Sequence, residues 1–98
     1  MPTVKCSFEH VVRTGRNIIG TEVRRLRYQS GLSQPAFAAK CQRMGWDITR
    51  DTIAKIEAGT RWVGDFELIH LARSLGVPLE TLFPASVRKT LRRSTLTS

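Results

Sequence analysis

The sequence predicts an all-α domain, a compact bundle of about five short helices. Three observations lead there. Apolar residues recur at helical spacing through the middle of the chain. Residues able to cap a helix N-terminus stand before these stretches, and glycines at 31, 45, 59 and 76 follow them. The chain has 98 residues, enough for one small core, which favours short helices over a large sheet.

The first helix is expected from about Ile18 to Ser30. Asn17 is its candidate cap, Gly31 its stop, and Ile19, Val23 and Leu26 its apolar stripe. The second starts at Ser33, whose hydroxyl can accept from a first-turn amide. Pro35 is tolerated there because such amides lack intrahelical partners. Phe37, Ala38 and Cys41 form its inward face, and Gly45-Trp46-Asp47 break it. The third follows the cap Thr49 and runs from Arg50 to about Ala58, with Ile53 and Ile56 inward. The fourth spans about Asp65 to Leu75, with Phe66, Leu68, Ile69, Leu71, Ala72 and Leu75 apolar. A short fifth turn, Leu79 to Phe83, stops at Pro84. Val4, Cys6 and Phe8 alternate with polar residues and suggest a short N-terminal strand that would need a pairing partner, such as its copy in a dimer. The chain thus divides into an arm (1–17), a helical domain (18–84) and a basic tail (85–98).

The net charge of +8 is the footprint of a nucleic-acid binder, and equally suits an acidic protein or an anionic surface. It is unevenly placed. Residues 18–83 hold nine basic side chains against seven acidic, so most of the excess lies in the flanks. No run approaches the roughly 20 apolar residues of a membrane span, and no signal peptide opens the chain. Two cysteines make no disulfide framework, which points to the cytoplasm. Cys6, His10, Cys41 and His70 show no tight ligand spacing, so no metal or cofactor is expected. No nucleophile with a nearby base, glycine-rich phosphate loop or carboxylate pair supports an enzyme.

A helix, a turn and a short helix with a polar outer face form the layout of a major-groove reader. A groove about 12 Å wide admits one helix, held by another lying across the backbone. At these residues the chain resembles the Cro-type (XRE-type) helix-turn-helix regulators, which include phage repressors. The matching pieces are Ile19-Gly20, Val23-Arg24-Arg25-Leu26-Arg27, Gly31-Leu32-Ser33-Gln34, Thr52-Ile53-Ala54-Lys55-Ile56-Glu57-Ala58-Gly59 and Leu75-Gly76-Val77-Pro78-Leu79-Glu80-Thr81-Leu82-Phe83. They fall in order across residues 18–83. The chain departs from the compact family pattern in a longer connection, Gln42 to Ile48, between the second and third helices. Gly64 and Pro78 stand where the family often has Ser or Thr caps.

The resemblance implies a lambda-repressor-like fold, binding to double-stranded DNA and a repressor role as a homodimer. It also implies residue roles. Gln34 would contact a phosphate and brace the first reading residue. Arg50 and Asp51 would approach base edges, the arginine at guanine and the carboxylate at cytosine N4. Thr52 would meet a phosphate or a thymine methyl, and Lys55 a base or phosphate. Thr60 and Arg61 would hold the DNA backbone. Arg27 and Glu57 match a family pair that salt-bridges the first and third helices.

Each residue also has a plainer reading. Arg50, Asp51 and Lys55 would make an ordinary solvated helix face, Asp51 could cap or pair locally, and Trp46 suits a plug over the longer connection better than a base-stacking role. The basic tail reads equally as a phosphate clamp or a solubilising end. A different class of function, an antitoxin-like module for a protein partner that keeps the fold, would also suit the charged flanks.

Overall fold

A computed structural model describes residues 15–90 of the chain. Among them are the helices α1 (Gly20–Gln29), α2 (Gln34–Arg43), α3 (Arg50–Glu57) and α4 (Asp65–Leu75), followed by a 3₁₀ turn at Leu79–Leu82. Residues 85–90 are helical too. The described residues include no strand, and the alternating stretch around Val4 to Phe8 lies outside them.

Local chemistry sets the helix ends. The Ser33 hydroxyl accepts from the Ala36 N–H, and that of Thr49 from the Thr52 N–H, so each offsets one orphan donor at a helix start. Gly76 closes α4 in the left-handed conformation, with φ of 69°. Gly64 has no side chain to cap α4. Instead the Glu67 carboxylate reaches back to the Gly64 N–H at 3.2 Å, the reciprocal half of a capping box.

The apolar stripes meet in one core. Ile19, Val23 and Leu26 of α1 pack with Phe37, Ala38 and Cys41 of α2, Ile53 and Ile56 of α3, and Leu71, Ala72 and Leu75 of α4. Leu82 from the 3₁₀ turn and Ile48 from the long connection complete it. Burial pushes the Cys41 thiol above its ordinary pKa, with the Ser74 hydroxyl pulling the other way, so this cysteine is a packing group. The apolar residues of α4 are not all covered. Phe66 is 75% exposed, and Ile69 and Trp62 are exposed as well.

Three details sharpen the sequence reading. Asn17 stands before the residue at the N-cap position, Ile19, which has no side-chain cap of its own. Asn17 Oδ1 nonetheless accepts from the N–H groups of Ile19 (3.1 Å) and Gly20 (2.8 Å). The short fifth turn expected at Leu79 to Phe83 is a 3₁₀ turn of 4 residues, Leu79–Leu82. Pro84 does more than stop the chain, because its carbonyl accepts from the Val87 and Arg88 N–H groups and so opens the helical stretch at 85–90. Arg88 donates to the Phe83 carbonyl at 3.0 Å. Through this bond the helical stretch at 85–90 is tied to the residue that ends the 3₁₀ turn.

The start of α1 sits directly on the end of α3. A Cβ at Gly20 would collide with the Ile56 carbonyl oxygen and stand 2.8 Å from that of Glu57. Asn17 Nδ2 bonds the Ile56 carbonyl (3.1 Å) and the Arg61 carbonyl (2.8 Å), and the Arg16 N–H bonds that of Gly59 (2.6 Å). The positive end of one helix thus meets the negative end of another. Gly20→Ala must force them apart, and should cost at least the upper end of the roughly 1–3 kcal/mol of an overpacked core, measured by urea denaturation.

Candidate nucleic-acid interface

α3 is the helix with two different faces. Ile53 and Ile56 are fully buried, whereas Arg50, Asp51 and Lys55 are exposed. Thr49 starts the helix and also fixes Thr52, whose Oγ1 lies 3.0 Å from Thr49 Oγ1. Arg50 and Asp51 make only a long contact, 3.8 Å, with side chains 61% and 81% exposed. Screened by water, such a pair holds neither group in place. Both ends of this dipeptide are therefore available to an outside ligand.

Behind this face lies a buried polar cluster. Arg27 of α1 donates Nε to Glu57 Oε2 at 2.6 Å and Nη2 to Oε1 at 3.0 Å, a bidentate pair whose side chains are about 5% exposed. Its Nη1 donates to the Leu32 carbonyl at 2.8 Å. Hydrogen bonding to Glu57 raises the Arg27 pKa, against the opposite push of burial. Gln34 Nε2 adds a bond to Glu57 Oε1 at 3.2 Å. Gln34 is thereby linked to the α1–α3 bridge and not extended into solvent. Among the described residues, no buried side-chain nitrogen or oxygen lacks a partner.

The loop after α3 carries Thr60 and Arg61. Thr60 bonds the Lys55 carbonyl through both its N–H (3.0 Å) and its hydroxyl (3.2 Å), finishing α3. Arg61 makes a second bidentate pair, to Glu67 of α4, at 2.8 and 3.0 Å. Sequence reading missed this pair. The spacing of Glu67 from Gly64, that of a capping box, signals the carboxylate's bond to the Gly64 N–H but not its arginine partner. Arg61 thus holds α4 against the α3–α4 loop, leaving its guanidinium part-exposed.

The extended connection is an ordered part of the support. The Trp46 N–H bonds the Cys41 carbonyl, and Gln42 Nε2 bonds the Ile48 carbonyl at 2.7 Å. The Trp46 ring stacks on His70 of α4, with centroids 5.3 Å apart. Trp46 therefore braces the connection against α4, and α3 starts at Arg50 with its cap in register. His70 is engaged in the same stack. Cys6 and His10 lie outside the described residues, among which no group of three or more His, Cys, Asp or Glu could hold a metal. No helix among them is long and apolar enough to cross a membrane.

A family model described as a helix-turn-helix domain matches residues 18–83. The chain belongs to that family. The match covers the same stretch as the Cro-type resemblance and includes α1 to α4. Two solved structures are similar to this helix-turn-helix chain. One is the DNA-binding domain of BldD, with 30% identity over 70% of this chain and 93% of that one, at a TM-score of 0.61. The other is the restriction-modification controller protein C.AhdI from Aeromonas hydrophila, with 29% identity over 66% of this chain and 87% of that one, at a TM-score of 0.59. No curated protein sequence matches it.

Two outcomes follow from the ion pairs. Glu57→Ala leaves a buried guanidinium uncompensated, and should cost about 3–5 kcal/mol by urea denaturation. At Glu67, hydrogen bonding to Arg61 holds the carboxyl below its ordinary pKa. The resulting stability is complete above the unfolded-state pKa and is lost as pH falls through the folded one. Because the pair is partly exposed, the gain should stay below about 1 kcal/mol. A stability-against-pH series should show a shallower acid limb for Glu67→Gln than for the native chain.

Proposed function

We propose that this helix-turn-helix chain is a sequence-specific double-stranded DNA-binding protein, a transcriptional regulator acting as a repressor, that places α3 in the major groove. The observation carrying this reading is the contrast on α3 between an anchored inner face and the exposed Arg50, Asp51 and Lys55 at its outer one. Reading a base edge requires a side chain that is free to reach, on a backbone that is not free to move. The DNA-binding domain of BldD and the controller protein C.AhdI, similar over most of their length, support the same reading.

Within it, Arg50 makes the base contact with Asp51 beside it, and Lys55 and Thr52 reach base or phosphate. Gln34 braces the Glu57 end of α3 and meets the backbone. Thr60 and Arg61 present the α3–α4 loop to the phosphates, with Glu67 orienting the arginine. Such a small module covers few base pairs, so a homodimer on a two-fold operator is the working form, located in the cytoplasm. The exposed Trp62, Phe66 and Ile69 offer apolar surface for a second copy.

Selection of bound duplexes from a random pool tests the whole reading. The native chain should enrich a two-fold motif at moderate salt, and light scattering should give a dimer mass. Arg50→Ala should change the base preference at one position per half-site, with a loss of about 1–3 kcal/mol there. Enrichment of no motif by the native chain defeats the reading. Uniform weakening in Arg50→Ala would reassign that residue to phosphate.

A further inference from the structure

A groove of about 820 Å³ opens between α1 and α3. One wall carries Arg24 and Tyr28 of α1, the other Arg50 and Ala54 of α3, and Ser33 and Gln34 line the floor between them. The buried pair of Arg27 and Glu57 cancels its own charge, so Arg24 and Arg50 leave the groove cationic. Arg50 is the residue assigned above to a base edge, so a duplex docked on α3 has its backbone beside this opening.

Arg24 and Tyr28 are four residues apart on one face of α1, both exposed. The Arg24 guanidinium lies 5.6 Å from the Tyr28 ring centroid, and that of Arg27 4.6 Å from it. Arg24 has no carboxylate partner among the described residues, whereas its neighbour Arg25 is paired with Glu22 at 2.6 Å. Tyr28 is nonetheless 61% exposed, so its hydroxyl is open to an outside ligand. The Arg24 and Arg27 guanidiniums also hold its phenol below the usual tyrosine range. A positive potential that favours a phenolate is one that attracts a phosphate.

We propose that Arg24 and Tyr28 grip a phosphodiester of the duplex read by α3, extending the interface onto α1 across the groove from Arg50. Arg24 supplies the charge, and the Tyr28 hydroxyl donates a neutral hydrogen bond. Two aromatic contacts keep both groups at the groove mouth. The contact positions the duplex and carries no base preference. It rests on the DNA-binding reading above and adds two residues to it.

The experiment is a set of salt titrations of duplex affinity with the full chain, using the selected motif and a scrambled duplex. Arg24→Gln is compared with Arg25→Gln, which removes the same charge from the paired arginine outside the groove. Tyr28→Phe keeps the ring over Arg27 and removes only the hydroxyl. Thermal melting confirms that each variant is folded.

The expected result for Arg24→Gln is a slope of log K against log salt smaller in magnitude by about 0.9, the loss of one phosphate contact. Arg25→Gln should leave the slope unchanged. Tyr28→Phe should weaken binding several-fold on both duplexes with the slope retained, because it removes no charge. Arg24→Gln and Arg25→Gln with equal slopes, beside a native chain that still selects its motif, overturn the α1 contact and spare the DNA reading. An unchanged affinity for Tyr28→Phe removes the tyrosine from the contact. A native chain that binds no duplex overturns both.

Discussion

The buried pair between Arg27 and Glu57 is the contact on which the geometry of the domain depends. Two ions in a core are costly to desolvate, and the cost is offset only if every donor and acceptor is satisfied. Here the arginine spends Nε and Nη2 on the carboxylate and Nη1 on the Leu32 carbonyl, while Gln34 bonds the carboxylate from α2. Three helices therefore meet at one carboxylate, and the turn before α2 is joined to them through the arginine. An apolar contact of equal area would let α3 rotate by small steps. The bidentate geometry does not, because two parallel bonds fix orientation as well as distance, and a tilt stretches one while compressing the other.

A second clamp acts at the opposite end of α1. Gly20 lets the α1 backbone touch the α3 carbonyls, and Asn17 closes four hydrogen bonds around the same junction. Arg27 near the end of α1 and Gly20 at its start both hold the C-terminal end of α3, at Ile56 and Glu57. Trp46 and His70 secure the long connection that leads into α3, and Arg61 and Glu67 secure the loop that leaves it. The result is a rigid support for a few exposed side chains. Preorganisation of this kind lowers the ordering cost of binding, so the free energy of a base contact is not spent on arranging the helix.

Much of this was legible in the chain. Ser33 and Thr49 marked two helix starts because short hydroxyl side chains compete for first-turn amides. The stripes Ile19-Val23-Leu26, Phe37-Ala38-Cys41 and Ile53-Ile56 marked the inward faces because helical period and burial coincide there. On α4 the rule does not choose a side, and Phe66 and Ile69 are exposed. The helix is apolar around too much of its circumference for period alone to say which side is covered. The arm around Val4 to Phe8 lies outside the described residues, whereas in the tail Arg88 is bonded to the Phe83 carbonyl, a contact that the basic composition of residues 85–98 did not signal.

The site divides along the same line. Sequence by itself determined that a polar-faced helix at Arg50 follows a capped helix at Ser33, and that Arg50, Asp51 and Lys55 stand off its apolar stripe, because spacing along one helix is a local property. Only the tertiary structure decided that Gln34 serves Glu57, that Arg61 is held by Glu67, and that Arg24 and Tyr28 share a groove with Arg50. Those are contacts between elements, set by how the helices cross, and no periodicity within one segment encodes them.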